Sequence, residues 1–220
     1  EALAGYARSE DVQAELDYWF AAGSAWVAPL PVDGEGANTE DSAAQVVLSL
    51  DPEETHALLA EIPAVYRTEI NDLLLTALAG AFGEWTGAPA AFVELEGHGR
   101  EEIGIFEEDG RGIDVSRTAG WFTATYPVRV ELPFGADDGE AIRSVKEHLR
   151  SIPRHGIGYG LLRFMGDEEA RMALASLPQP QVTFNYLGQF DRALGDGSHL
   201  GPAPEPPGPD RAPGGPRTHL

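Results

Sequence analysis

Hydrophobic residues recur at helical spacing in three stretches of the chain. The longest pattern covers 69–85 and is ended by the Gly-Ala-Pro sequence at 87–89. Shorter helical patterns cover 9–20, with Ser9 as the expected N-cap, and 137–149. The predicted buried positions are Ile70, Leu74, Ala77, Leu78, Ala81, Phe82 and Trp85 in the long helix, Val12, Leu16 and Trp19 in the first helix, and Ile142, Val145 and Leu149 in the third.

Apolar and polar residues alternate in other stretches, as they do in strands. Alternation over 90–95 predicts a strand with Phe92, Glu94 and Glu96 on one face and Ala91, Val93 and Leu95 on the other. Residues 123–132 alternate in the same way, and 46–50 and 181–186 are also strand-like. A capping box at 51–54 then starts a further helix. Helices interleaved with strands indicate a layered α/β fold.

Loop composition divides the chain into a folded part and a tail. Residues 29–41 form a Gly-rich and acidic loop, and 201–216 contain seven prolines and four glycines. We therefore predict one folded unit at 1–200, followed by a Pro/Gly-rich loop or tail at 201–220.

Composition excludes several classes of function. A formal net charge of −21 argues against nucleic acid and anionic membranes as partners, and it also keeps a protein soluble. The chain has no cysteine, which rules out disulfides, thiolate nucleophiles and zinc–thiolate sites. The sequence has neither an apolar run of the ~20 residues that span a bilayer nor a visible signal peptide, so the expectation is a cytoplasmic protein.

The run Glu-Gly-His-Gly-Arg-Glu at 96–101 is the first candidate for chemistry. It brings two carboxylates, an imidazole and a guanidinium together around two glycines, which allow close approach of the backbone to a ligand. Glu96 lies at the end of a predicted strand, where a general base is plausible. His98 taken alone is more often a hydrogen-bonded structural residue.

Three further patterns accompany this run. They are Arg-Thr-Ala-Gly-Trp-Phe-Thr at 117–123, the glycines of 156–160, and Phe-Asn-Tyr-Leu-Gly at 184–188. Trp121 and its neighbour Phe122 would more often belong to the core, and the glycines to a tight loop that lacks the G-x-G-x-x-G spacing of a dinucleotide site. Asn185 within a strand needs hydrogen-bond partners.

Together these patterns, with Asp-Leu-Leu-Leu-Thr-Ala at 72–77, resemble the epimerization domains of nonribosomal peptide synthetases, within the condensation-domain superfamily. The resemblance runs in order from about 18 to 191. It implies an α/β fold: a chloramphenicol-acetyltransferase-like half-domain with a mixed sheet covered by helices, corresponding to the C-terminal lobe of the family's V-shaped domain.

The resemblance also implies a reaction. The substrate would be an aminoacyl or peptidyl thioester on the 4'-phosphopantetheine arm of a peptidyl carrier protein, with no cofactor or metal bound directly, and its α-carbon would be inverted from L to D. Glu96 would act as acid/base, and Asn185 and Tyr186 would line the tunnel and could steady the enolate or the thioester. The resemblance gives substrate-binding or supporting roles to His98, Arg100, Arg117 and Trp121. Arg100 and Arg117 are either partners of acidic groups or structural.

One family motif, His-His-x-x-x-Asp-Gly, does not occur in the sequence. The six histidines are scattered, at positions 56, 98, 148, 155, 199 and 219. Two explanations follow: a fragment of a larger synthetase whose other lobe or neighbouring domains are its partners, or a naturally truncated, non-catalytic structural or docking module. Without the histidine half of the site we expect this chain alone to epimerize poorly. We also expect an exposed apolar face that favours association.

Overall fold

The computed structural model describes residues 2–25, 28–101, 115, 117–188, 212, 214–217 and 219. Within them, three strands form one mixed sheet: β1 (Ala90–Gly97), β2 (Ala124–Glu131) and β3 (Val182–Phe184). The strand order is β2-β1-β3, with β1 antiparallel to β2 and parallel to β3. The predicted mixed sheet covered by helices is confirmed.

Nine α-helices surround or extend this sheet in the described ranges. They are α1 (Ala2–Tyr6), α2 (Glu10–Gln13), α3 (Leu16–Ser24), α4 (Pro52–His56), α5 (Ile62–Tyr66), α6 (Ile70–Thr86), α7 (Asp138–Arg150), α8 (Ile157–Met165) and α9 (Glu168–Ala175). A single π-helical segment, Ala57–Glu61, joins α4 to α5, and short 3₁₀ helices cover Glu40–Ser42 and Pro153–Gly156.

The apolar face of the sheet carries the core. The register pairs Leu95 with Tyr126 and Val93 with Val128, so β1 and β2 bury alternate residues on the same side, as predicted. Buried residues of α3, α6 and α8 join them in one cluster that includes Trp19. The other face carries Glu94 and Glu96 together with the buried side chain of Phe92, and we call its part around the two glutamates the polar face.

Helix α6 begins and ends close to the predicted positions. Its first turn is closed by a capping box, in which the Asp72 carboxylate accepts a hydrogen bond of 2.8 Å from the Glu69 backbone N–H. Gly87, with φ of +69°, ends it in the left-handed conformation.

The buried face of α6 differs from the predicted one. Leu75 and Ala79 are buried, whereas Ala77, Ala81 and Trp85 are exposed. The reason is that the helix is apolar nearly all round, so spacing alone does not select one stripe.

The strand predicted at 46–50 is wrong. This segment forms no regular secondary structure and pairs with no strand of the described part, and Val46 and Leu48 are 86% and 91% exposed. A strand needs a partner, and alternation in the sequence does not supply one.

The helix predicted over 9–20 is divided. Its two parts, α2 and α3, meet at Glu15, whose buried carboxylate accepts a hydrogen bond of 3.0 Å from Trp19 Nε1 and pairs with Arg154. Ser9 is the N-cap residue of α2, although its side chain makes no capping hydrogen bond.

The tight loop predicted at 156–160 is also wrong. Gly156 is the left-handed N-cap of α8, and the other two glycines lie in its first turns. Gly158 faces Glu15, and a Cβ at this position would overlap that carboxylate. Close helix packing, rather than a turn, thus explains this glycine.

The tail predicted at 201–220 lies mostly outside the described residues. Of its described part, Pro216 forms an isolated antiparallel bridge with Thr39, and Arg217 pairs with Glu40 at 3.0 Å. Helix α9, which begins at its N-cap Asp167, has no counterpart among the predicted elements.

Candidate active site

The parallel pairing of β1 and β3 brings together two residues that lie 89 positions apart in the sequence. Leu95 pairs with Phe184, the last residue of β3, so the residues that follow this pair, Glu96 and Asn185, lie side by side on the polar face. Asn185 Nδ2 donates a hydrogen bond of 2.8 Å to Glu96 Oε2. Both residues are exposed, which leaves the carboxylate open to a ligand.

A second carboxylate lies on the same face. Thr183 Oγ1 donates to Glu94 Oε1 over 3.5 Å, and His219 Nε2 lies 3.6 Å from the same oxygen. The polar face thus presents two glutamates on β1, each with a hydrogen-bond donor from the β3 side.

The turn after β1 is held by Gly99 and Arg100. Gly99 has φ of +63°, and a Cβ there would overlap the carbonyl oxygen of Phe122. The Arg100 guanidinium lies 4.2 Å from the centre of the Phe122 ring. It also donates to three backbone carbonyls, those of Val115, Thr118 (2.9 Å) and Gly120 (3.1 Å). Of the two predicted roles for Arg100, these contacts favour the structural one.

Two imidazoles flank the carboxylate of Glu101, the last residue of the 96–101 run. His155 Nδ1 lies 2.8 Å from Glu101 Oε2, and His98 Nε2 lies 3.2 Å from Glu101 Oε1. Tyr126 interacts electrostatically with the Glu101 carboxylate. Burial raises the pKa of the Tyr126 hydroxyl, and the charge of Glu101 raises it further.

The remaining predicted site residues are more dispersed. Trp121 is 96% exposed, so its interpretation as a core residue is wrong. Arg117 is exposed, and in the described part of the chain it contacts no acidic side chain. Tyr186 follows Asn185 and is half-buried.

The candidate site lies on an open face, away from the large cleft. That cleft, of about 930 Å³, lies between α3, α6, β2 and α7, and none of the seven predicted site residues lines it. Among the described residues, no three His, Asp or Glu side chains are grouped closely enough to hold a metal ion.

Residues 1–199 match the family model of the condensation domain. The chain belongs to the condensation-domain family.

Relatives of this condensation-domain chain include two synthases. It is 45% identical to one of the linear gramicidin synthase proteins of Brevibacillus parabrevis over 222 residues, covering 100% of the chain and 4% of that protein. It is 49% identical to chondramide synthase of Chondromyces crocatus over 215 residues, covering 97% of the chain and 5% of that protein. The chain thus spans a small part of the curated relatives it matches.

A solved structure is similar over the whole chain. The crystal structure of the epimerization domain from the third module of a tyrocidine synthetase matches with a TM-score of 0.85 and 34% identity, covering 100% of this chain and 48% of that one. The resemblance to epimerization domains that the motifs predicted is confirmed. No helix in the described ranges of this condensation-domain chain is both long and apolar enough to cross a membrane.

Sequence reasoning left two residues of the site without a role, Glu101 and His155. Glu101 was visible as the second carboxylate of the 96–101 run, and His155 directly precedes the glycines of 156–160. The only signals were the place of Glu101 within one motif and of His155 beside another, but their contact spans 54 positions.

Proposed function

We propose that this chain is part of an epimerization domain that inverts the α-carbon of an aminoacyl or peptidyl thioester on a carrier protein. The observation that carries the proposal is the hydrogen bond from Asn185 to Glu96, which joins two motifs of the epimerization type on neighbouring strands. The similarity to a solved epimerization domain supports it.

The chemistry follows from the two side chains. The Glu96 carboxylate takes the α-proton, and the electron pair of the broken C–H bond passes to the thioester oxygen as an enolate. The Asn185 amide has two N–H groups, of which one holds Glu96 and the other is available to the developing negative charge. A water molecule on the opposite face of the α-carbon then gives a proton to the enolate, and Glu96 passes the proton it took to solvent, which completes the inversion.

The exposure of Glu96 has a consequence for this scheme. A carboxylate in water is a weak base, and it gains basicity when water is removed from it. The thioester arm, or a lobe that covers the polar face of the sheet, would provide that desolvation. The proposed partners are accordingly a peptidyl carrier protein, which brings the substrate on its 4'-phosphopantetheine arm, and the neighbouring synthetase domains. A cytoplasmic location is part of the same proposal.

The test is solvent-deuterium uptake. The complete gene product is incubated in D₂O with a carrier protein loaded with an L-aminoacyl thioester, and deuterium at the α-carbon is measured by mass spectrometry after release. Glu96→Gln, which keeps the hydrogen-bonding shape but not the base, should slow uptake by about 10²- to 10⁴-fold. Glu61→Gln, an exposed helical position, is the matched control and should leave the rate unchanged.

Equal uptake in the wild-type protein and in Glu96→Gln would overturn the role of Glu96. Absence of uptake in both, with binding of the loaded carrier retained, would instead favour the non-catalytic docking module.

A further inference from the structure

Glu101 occupies a position that the proposed proton transfer does not use. Its side chain is only 16% exposed, whereas the imidazoles of His98 and His155, which it contacts from either side, are 69% and 75% exposed. A nearly buried carboxylate that contacts two exposed imidazoles restrains the segments that carry those imidazoles.

His98 is held through both of its ring nitrogens. Its Nδ1 accepts a hydrogen bond of 2.9 Å from the backbone N–H of Arg100, so in this geometry the ring proton is on Nε2, the nitrogen that lies 3.2 Å from Glu101 Oε1. His98 therefore contacts the Arg100 backbone and the Glu101 side chain, which closes the turn at 97–101 on itself.

His155 comes to Glu101 from a backbone that L-residues seldom adopt. Arg154 and His155 have φ of +43° and +50°, in the left-handed region. Contacts with the N-terminal helices maintain this conformation. Arg154 pairs with the buried carboxylate of Glu15 and also donates to the carbonyl oxygen of Asp11 at 3.0 Å. Strain of this kind persists where the surrounding structure enforces it, and such positions cluster at functional sites.

The segment 153–156, which precedes α8, also contacts the strand that carries Glu96. A Cβ at Gly97, the residue after Glu96, would lie 3.6 Å from the carbonyl oxygen of His155. The end of β1 thus has two supports: Arg100 binds it to the segment before β2, and Glu101 binds it to the loop before α8.

We propose that Glu101 is a positioning residue, which through His98 and His155 fixes the turn at 97–101 and with it the carboxylate of Glu96. The inference rests on the proposed function. An exposed base near the end of a strand has few packing contacts of its own. A displacement of its carboxylate by about 1 Å can lower the rate by about 100-fold.

The experiment measures deuterium uptake at the substrate α-carbon for Glu101→Ala and Glu101→Gln in the complete gene product. Glu101→Ala should lower kcat by between about 10- and 100-fold and leave KM unchanged, because Glu101 does not contact the substrate. The Gln amide can accept from His155, but its NH₂ group faces the N–H of His98, so it keeps one contact of two. Its kcat should fall between those of the alanine variant and the wild type.

A matched control pair exists in this chain. His56 Nε2 lies 3.8 Å from Glu61 Oε1, and both side chains are 67% exposed. Glu61→Ala removes the same kind of contact away from the site, and kcat should stay within about twofold of the wild type.

A second measurement separates this inference from the proposed function. In hydrogen-exchange mass spectrometry, Glu101→Ala should accelerate amide exchange by about tenfold or more in 97–101 and 153–157, with the rest of the described chain unchanged. If the wild type shows no uptake dependent on Glu96, the proposed function fails and this exchange result still decides whether Glu101 holds the turn.

Wild-type kcat in Glu101→Ala, in a protein whose uptake depends on Glu96, would overturn the positioning role. Should that variant not fold, Glu101→Gln and His155→Ala take its place, and wild-type kcat in both would overturn it equally.

Discussion

Burial, more than neighbouring charge, shifts the pKa values of single residues in the described part. It raises the pKa of the Asp72 carboxyl and of the Tyr126 hydroxyl, and it lowers the pKa of the His148 imidazole. In each case the neutral form is favoured in the folded state. His148 is the informative case, because its Nε2 is buried and has no hydrogen-bond partner in the described residues.

His148 should make the folded chain sensitive to mild acid. Its folded-state pKa is below the ordinary value of 6.5, so the unfolded chain binds a proton more readily. This contribution to stability is fully present above about pH 6.5 and is lost as pH falls through the folded-state pKa. The free energy of unfolding, measured in urea from pH 7.5 to pH 5, should therefore fall less steeply in His148→Gln than in the wild type. Parallel curves for the two proteins would contradict this expectation.

Among the helices, α8 depends on α2 and α3 through one ion pair. Glu15, at the junction of α2 and α3, pairs with Arg154 before α8 and receives the Trp19 Nε1 hydrogen bond. Gly158, in the first turn of α8, lets the helix approach this carboxylate. A buried acid and the absence of one side chain thus contribute to the packing of the three helices, beside the contact between the Trp19 and Tyr159 rings.

Gly158→Ala should destabilise the chain by about 1–3 kcal/mol, because the added methyl group overlaps the Glu15 carboxylate and displaces it from Arg154. Gly160→Ala is the matched control: it lies in the same helix, has no atom within 4 Å of the added Cβ, and should be neutral or stabilising by up to about 1 kcal/mol. Chemical denaturation of both variants checks the pair. A larger loss for Gly160→Ala than for Gly158→Ala would contradict this packing.

For the molecule as a whole, the sequence predicts features that depend on neighbouring residues and misses features that depend on contacts between distant residues. The ends of α6 and the faces of β1 were predictable from caps and alternation. The prediction of a strand at 46–50 is wrong because pairing depends on a distant partner. The glycines of 156–160 belong to the start of a helix rather than to a loop, and the reason for Gly158 is its contact with Glu15, which is distant in the sequence. Likewise, only the family resemblance predicts that Glu96 and Asn185 share a site. No pattern in the sequence predicts the contact of Glu101 with His155.

Leucine-to-alanine substitutions test whether the segment at 46–50 packs as a strand, as the sequence predicts, or is exposed, as in the structure. Leu162 is fully buried and Leu48 is 91% exposed. In the 220-residue chain, Leu162→Ala should cost about 2–5 kcal/mol of unfolding free energy, and Leu48→Ala less than about 0.5 kcal/mol. A cost for Leu48→Ala near that of Leu162→Ala would show that the segment packs as the sequence suggested.

The hydrogen bond between Glu96 and Asn185 also sets when the site can exist during synthesis. The two residues are 89 positions apart, and at about 5–20 residues per second a ribosome needs roughly 4–18 s to travel from one to the other. Through that interval β1 has no parallel neighbour from β3, and closing so long a segment carries an entropic cost that local helices do not bear. A nascent chain thus carries its base long before the amide that orients it.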